Sequence, residues 1–176
     1  MLDRKELILR RLADEGAKTA AFFKGLAASG WRQQVYTTGP EWGAHDLLIH
    51  FISAERTLAH YYQDMINGGP GVPQDFDIDA FNAKDVAGLK AASHSPDSLI
   101  AEFERQRTQT TDLVQKITEA DLDRVGYHPW FGDTPLENML KLVYRHNMIH
   151  QRDIEKAIAT GQPVPHVAVI APSKPS

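Results

Sequence analysis

The chain has 176 residues, of which 42% are apolar and 24% are charged, and its formal net charge is −4. This length and composition suit one globular domain that folds on a single core. The negative charge and the lack of a dense Lys/Arg run disfavour a nucleic-acid-binding surface. Because the sequence has no cysteine, it excludes disulfides, thiolate nucleophiles and cysteine-based zinc sites. Any metal must be held by His, Asp or Glu.

The N-terminal segment, residues 1–16, carries charged side chains at helical intervals. It has neither the apolar centre nor the small-residue cleavage site of a signal peptide. The rest of the sequence has no apolar stretch close to the roughly 20 residues that span a bilayer as a helix. We therefore expect a cytoplasmic protein that does not insert into membranes.

Apolar residues recur at helical spacing in four long segments. A capping residue or a proline stands at each start, and a glycine follows three of the four ends. The predicted helices are Asp3–Ala28, Glu41–Asn67, Pro96–Ile117 and Pro135–Thr160. They predict an all-α four-helix bundle that occupies the chain, residues 1–176, as a single domain.

The lengths of the connections constrain how these helices are arranged. The first connection is short, so the first two long helices are expected to be antiparallel neighbours. The second connection, residues 68–95, can carry the chain back along the bundle, and Asp79–Ala92 within it is predicted to be a short helix. A proline-rich C-terminal tail, residues 161–176, contains an apolar run, Val167–Ala171, which we expect to pack on the bundle or on a partner subunit.

His146 and His150 lie four residues apart in the fourth predicted helix. This spacing puts both rings on one helix face, with Cβ atoms about 5–6 Å apart. Val143 and Ile154 share that face, so the pair is expected to point into the core. Such pairs also arise by chance, but two buried imidazoles need partners, because an unpartnered buried polar group costs about 1–3 kcal/mol. One divalent ion, about 2.0–2.1 Å from each nitrogen, would satisfy both rings.

A third ligand has to come from another helix, and His50 is the best placed of the remaining histidines. Leu47, Phe51 and Ala54 surround it at helical spacing, which puts it on or beside the apolar face of the second helix. A single histidine in such a position can equally be a core residue with an ordinary hydrogen-bond partner. The other histidines fall on other helix faces, in predicted loops or in the tail: His45, His60, His94, His128 and His166.

Two segments resemble the DinB-like (YfiT-like) metalloprotein superfamily. Residues 42–50, WGAHDLLIH, resemble its second-helix pattern, in which a tryptophan opens the helix and a histidine follows eight positions later. Residues 146–151, HNMIHQ, resemble the HxxxH pattern of its fourth helix. The resemblance implies an up-down-down-up bundle in which three histidines hold a divalent ion. By position, these ligands are His50, His146 and His150.

The resemblance also implies a cofactor, partners and activities. Nickel or zinc is the ion most often bound, and a donor set of this kind also suits iron or manganese. Many members are homodimers. Known activities are transfer of low-molecular-weight thiols, thiol-dependent maleylpyruvate isomerisation and hydrolysis. Residues 76–82 resemble the loop ahead of the third helix in the thiol-transferase-like branch, without implying a role for Asn82.

Three protein ligands leave coordination positions open for water, a substrate carbonyl or an external thiolate. Polar residues interrupt two apolar stripes near mid-helix, and they either face the interior or lie at a stripe edge: Glu15, Thr19, Gln106 and Thr110. Glu15 is a candidate proton acceptor or fourth ligand, whereas Glu55 is expected to support the structure. The aromatic loop Tyr127–Gly132 either covers the mouth of a pocket or closes the end of the bundle.

These patterns predict a divalent-metal-binding protein that acts on a small molecule, either as a hydrolase or as a low-molecular-weight-thiol transferase. A non-catalytic stress-response protein that binds metal or a small ligand is one alternative. A purely structural bundle with packed histidines is the other.

Overall fold

A computed structural model describes residues 3–166 of the chain. Four long helices form the body of this part: α1 (Arg4–Lys24), α3 (Ala44–Ile66), α5 (Pro96–Lys116) and α6 (Leu136–Thr160). The connections contain α2 (Ala28–Trp31), α4 (Ile78–Ala91), a 3-10 turn (Ala120–Asp123) and a hairpin of strands β1 (Val125–His128) and β2 (Gly132–Pro135). None of the helices in the described range is long and apolar enough to cross a membrane.

Contacts between α1 and α6 show that these two helices are parallel. Near their starts, the Arg4 guanidinium donates to the Glu137 carboxylate at 3.1 Å. About four turns along, the Thr19 hydroxyl lies 3.5 Å from the Gln151 side-chain oxygen. The first and last long helices therefore point the same way.

The two middle helices run in the opposite direction. The end of α1 meets the start of α5, where Lys24 pairs with Glu104. The end of α3 meets the start of α6, where the Tyr62 hydroxyl donates to the Met139 carbonyl at 3.1 Å. The bundle is therefore up-down-down-up, which confirms the fold that the resemblance implied. The helices α1 and α3 are antiparallel as expected, but both pack on α5 and α6, so they lie across the bundle from each other rather than side by side.

Two helix ends differ from those predicted. The helix α1 ends at Lys24 and not at Ala28, because the backbone becomes extended at Ala27 and a separate short helix, α2, begins at Ala28. The helix α3 begins at Ala44 and not at Glu41, because the residues before it form backbone hydrogen bonds with residues 33–36. The chain before α3 is thereby held against the bundle instead of being helical.

The connections also contain structure that the sequence predicted only in part. The helix α4 lies within one residue of the predicted Asp79–Ala92. The segment Tyr127–Gly132, predicted as a loop, belongs largely to the hairpin, which adds a small antiparallel sheet to the otherwise helical fold. In the tail, Val164 is buried and pairs through its backbone with Val35, whereas Val167–Ala171 lies outside the described residues.

The buried apolar residues form two clusters along the bundle, one centred on Phe23, Phe51 and Phe103 and the other on Leu12 and Met139. Buried polar residues of all four long helices lie at the level between them. This polar layer consists of Glu15, Thr19, His50, Ser53, Glu55, Gln106, Arg107, Thr110, His146, Asn147 and His150. The polar interruptions of the apolar stripes therefore occupy buried positions.

Candidate metal centre

Three buried histidines converge in the polar layer. His146 and His150 lie one turn apart on α6, and His50 faces them from the antiparallel helix α3. Nε2 of His146 is 3.0 Å from Nε2 of His50 and 2.9 Å from Nε2 of His150. One nitrogen of each ring lies within 4.8 Å of the others, and the residues are only 4–6% exposed. The structure thus brings together the three residues that the sequence predicts as ligands.

The surroundings keep these rings neutral. Burial holds the pKa of His50, His146 and His150 well below the ordinary range of histidine, because an imidazolium would lose its hydration and face neighbouring imidazoles. A ligating imidazole has to be neutral. The site therefore favours the protonation state that binds a metal.

Hydrogen bonds among the three rings do not satisfy them. A neutral imidazole has one N–H and one acceptor nitrogen, yet Nε2 of His146 faces two nitrogens. Nδ1 of His50 is also buried, and it has no hydrogen-bond partner among residues 3–166. Nitrogens that share one ion at about 2.0–2.1 Å lie about 3 Å apart, in agreement with the spacing here. This all-nitrogen donor set fits a divalent ion such as nickel or zinc.

A hydrogen-bond chain orients His150. The Tyr36 hydroxyl donates to Asp153 Oδ2 at 2.7 Å, and its oxygen lies 2.5 Å from Nδ1 of His150. The Tyr36 hydroxyl proton is used in the hydrogen bond to the Asp153 carboxylate, so Nδ1 of His150 must be the donor in its hydrogen bond with the Tyr36 oxygen. In this tautomer the free lone pair of the ring lies on Nε2. Burial, together with Asp153, raises the pKa of Tyr36 and keeps the phenol protonated. Ligating histidines commonly donate their second N–H in this way, which fixes tautomer and ring orientation.

A pocket opens beside His50 and His146, between α3, α6, the start of α4 and the hairpin turn. About 40 Å³ of this space can hold the centre of a water molecule, and all the space between its walls, open solvent included, is about 620 Å³. Most of its wall is apolar or aromatic: Phe51, Ala54, Leu58, Tyr61, Val72, Phe76, Ile78, Phe81, Pro129, Trp130, Leu142 and Val143. A largely apolar cavity with a few polar groups is typical of a small-molecule site.

The polar groups of the pocket wall include residues whose role the sequence left open. Asn82 lines the pocket from α4, and Asn147 lines it from α6. The hairpin turn contributes His128 and Trp130, so the aromatic segment does cover the pocket. The His128 side chain accepts the Trp130 backbone N–H at 3.1 Å, and burial lowers the pKa of His128 to about 4.

The metal-ligating group found in the structure contains the three histidines and does not include Glu15, the candidate proton acceptor or fourth ligand, or Glu55. Glu15 binds Lys18 at 2.8 Å and Arg11 at 3.4 Å, and both cations extend into solvent. Glu55 accepts two hydrogen bonds from the buried guanidinium of Arg107, at 2.8 and 3.1 Å. Glu55 therefore has the structural contact that the sequence analysis expected of it.

Residues 11–154 match the family model of the DinB superfamily. The chain belongs to the DinB superfamily. This confirms the resemblance seen in the Trp42–His50 and His146–Gln151 segments. In the structure, Trp42 precedes α3, and its ring packs against that of His50 at a centroid distance of 4.8 Å. No curated protein sequence matches the chain.

Two solved structures have a similar fold. YfiT from Bacillus subtilis, described as a probable metal-dependent hydrolase with an unusual four-helix-bundle topology, aligns with a TM-score of 0.69 at 18% identity. That alignment covers 90% of this chain and 88% of YfiT. A mycothiol-dependent maleylpyruvate isomerase aligns with a TM-score of 0.69 at 14% identity, over 88% of this chain and 63% of the isomerase.

Sequence reasoning missed several residues around the site of this DinB-superfamily protein. His166 was assigned to the tail, but its ring stacks on that of His150 at a centroid distance of 5.8 Å. Asp153 stands three residues after His150 on the same helix, and that spacing could have indicated it. Tyr36 could not be found, because it lies 114 residues from His150 in a segment without a helical pattern.

Proposed function

We propose that this DinB-superfamily protein is a metal-dependent hydrolase that acts on a small molecule with an apolar group. The observation that carries the proposal is that three Nε2 atoms converge and that two of their residues, His50 and His146, line a largely apolar pocket. Nickel or zinc is the expected ion, and iron or manganese also suits these donors, since availability decides among ions of similar affinity. A divalent ion held here would supply a water of lowered pKa and would polarise a carbonyl.

The residues of the chain have distinct parts in this proposal. His50, His146 and His150 hold the ion, and the Asp153–Tyr36 chain keeps Nε2 of His150 available to it. The aromatic walls keep bulk water from the reacting group. In the hydrolysis itself, the oxygen of water bonds to the carbonyl carbon. The bond from that carbon to the ester oxygen or amide nitrogen breaks, and the leaving atom takes a proton from water.

The fold likeness to YfiT, described as a probable metal-dependent hydrolase, supports this reading. The charge of the pocket supports it as well. None of the pocket-lining residues identified within residues 3–166 is lysine or arginine, so the carboxylates of a thiol cofactor such as glutathione would find no cationic side chain there. A neutral ester or amide needs no charged partner.

The test begins with metal content. The protein is purified without a His-tag, and its metal is measured by plasma mass spectrometry before and after reconstitution. We expect about one equivalent of metal per protein chain. We also expect the protein to hydrolyse members of an ester and amide panel, to lose this activity when a chelator removes the ion, and to regain it when the ion is added back. His60→Ala changes an exposed histidine near the end of α3. It is the matched control for alanine variants of the three site histidines and should keep both metal and activity. Less than a tenth of an equivalent after reconstitution would overturn the metal site.

Thiol transfer is the second candidate, and the fold likeness to a mycothiol-dependent isomerase favours it. It is tested by giving the metal-loaded protein bacillithiol, mycothiol or glutathione together with an electrophile. Turnover that requires a thiol, without ester or amide hydrolysis, would replace the hydrolase proposal. Metal binding without turnover in either assay would favour a non-catalytic binding protein. Family membership also leads us to propose a homodimer, which light scattering coupled to gel filtration tests directly.

A further inference from the structure

Asn147 has an unsatisfied hydrogen-bond donor at the pocket wall. It follows His146 directly on α6, is only 3% exposed and lines the pocket. Its side-chain Nδ2 is buried and has no hydrogen-bond partner among residues 3–166. Leaving such a donor unpaired is costly, and buried side-chain amides are almost always paired with protein, water or a ligand.

The position of this amide relates it to the histidines. His50 and His146 line the same pocket as Asn147, so a molecule that fills this pocket can meet both the amide and the two rings. Other parts of the pocket wall come from α4 and the hairpin.

The chemistry of the walls narrows the class of ligand. Most of the other residues that line the pocket are apolar, among them Phe51, Leu58, Phe76, Phe81, Trp130 and Leu142. The one acidic residue of the wall, Glu55, is already bound to Arg107. In the metal-free protein, a carboxylate ligand would lose its hydration here without meeting a lysine or arginine among the lining residues, and charge burial without a partner is strongly unfavourable. An uncharged carbonyl oxygen needs only one neutral donor.

We infer that Asn147 is a substrate-binding residue, whose Nδ2–H donates to the carbonyl oxygen of a neutral amide or ester with an aromatic or aliphatic acyl group. This assignment names the substrate class of the proposed hydrolase and rests on that proposal for its catalytic meaning. Binding of the carbonyl compound depends only on Asn147 and the apolar walls, so it can be measured in the metal-free protein.

The test uses three probes of similar size: N-methyl-3-phenylpropanamide, 3-phenylpropanoate and 3-phenylpropylamine. Their dissociation constants are measured by NMR titration of the full chain, both metal-free and zinc-loaded. The side-chain NH₂ signal of Asn147 is identified as the one that disappears in Asn147→Leu. We expect the neutral amide to bind most tightly and to shift this signal, as a new hydrogen bond does.

Substitutions then isolate the donor. Asn147→Leu and the isosteric Asn147→Asp should weaken binding of the amide about three- to tenfold, as loss of one neutral hydrogen bond predicts. Asn138→Leu, an exposed asparagine on the same helix, should leave it unchanged. Unaltered affinity in both Asn147 variants, tighter binding of the carboxylate than of the amide by the metal-free protein, or no binding of the amide would overturn the assignment. Failure of the hydrolase proposal would appear separately, as amide binding without turnover in the zinc-loaded protein.

Discussion

Two groups of buried polar side chains, each with a member on α3, differ in how their hydrogen bonds are satisfied. Glu55 and Arg107 form a closed unit, since the guanidinium donates twice to the carboxylate and once to the Leu12 carbonyl at 2.9 Å. One and a half turns away, His50 faces His146 with nitrogens that no hydrogen-bond arrangement of the three rings can satisfy. The first unit needs nothing from outside the protein, whereas the converging Nε2 atoms of the second need a partner that an ion would supply.

This difference separates a structural role from a functional one. A closed buried ion pair stabilises the fold only while both partners are present, because removing one leaves an uncompensated charge. An incomplete cluster adds little to the stability of the metal-free protein and gains free energy when its ligand binds. Variants of the two groups should therefore change different measurements.

The largest loss of stability is expected for Arg107→Ala. It leaves Glu55 buried without its partner, which should reduce the free energy of unfolding by about 3–5 kcal/mol, measured by urea denaturation. Metal stoichiometry of the folded variant should stay the same. Arg105→Ala, which removes an exposed ion pair with Glu102, is the control and should change stability little. If Arg107→Ala changed the metal content and left the stability unchanged, the distinction between the structural pair and the metal site would be wrong.

For His50→Ala the expected loss is one of metal binding. At an ion concentration of a hundred times the dissociation constant, the wild-type protein should gain about 2.7 kcal/mol of stability. The variant should gain almost none, because one of the three donors is missing. Thermal denaturation with and without the ion measures both values. A variant that keeps full metal affinity would show that the third ligand is not His50.

A smaller effect is expected for Tyr36→Phe, which removes the acceptor of the His150 N–H. Loss of such a partner typically costs about 10- to 100-fold in metal affinity, to be measured by competition with a chelator. Tyr62→Phe removes an equally buried hydroxyl that bonds to the Met139 carbonyl, and it should leave metal affinity unchanged. Equal affinities for both variants and the wild type would show that Tyr36 does not orient His150.

The smallest effect expected for a single residue is on the pH dependence of stability. The pKa of each site histidine is lowered in the folded protein, so below about pH 6.5 the unfolded chain binds more protons than the native state. The metal-free protein should lose up to about 1.4 kcal/mol of stability per pH unit for each such histidine as pH falls below 6.5. His128 adds to this loss until pH falls to about 4. Urea denaturation of His146→Ala across this range should give a shallower dependence, and an unchanged slope would contradict the assignment.

Much of the fold could be predicted from the sequence, because its signals are local. Apolar residues at helical spacing, Ser95 before α5 and Gly161 after α6 are all properties of neighbouring residues, and they located the long helices. Errors arose where a distant segment competes for backbone hydrogen bonds. The residues before α3 bond to residues 33–36 instead of extending the helix, and the segment before α6 pairs into a hairpin.

The residues of the candidate site also fall into those that a local sequence pattern indicates and those that it does not. The spacing of His146 and His150 can be seen in the sequence, and resemblance to the DinB superfamily selected His50. The surroundings of these histidines depend on the folded chain: the hydroxyl of Tyr36, the free amide of Asn147 and the closed pair of Glu55 with Arg107. These contacts join helices and loops far apart in the chain, and periodicity within one helix contains no information about which side chain of another helix it will meet.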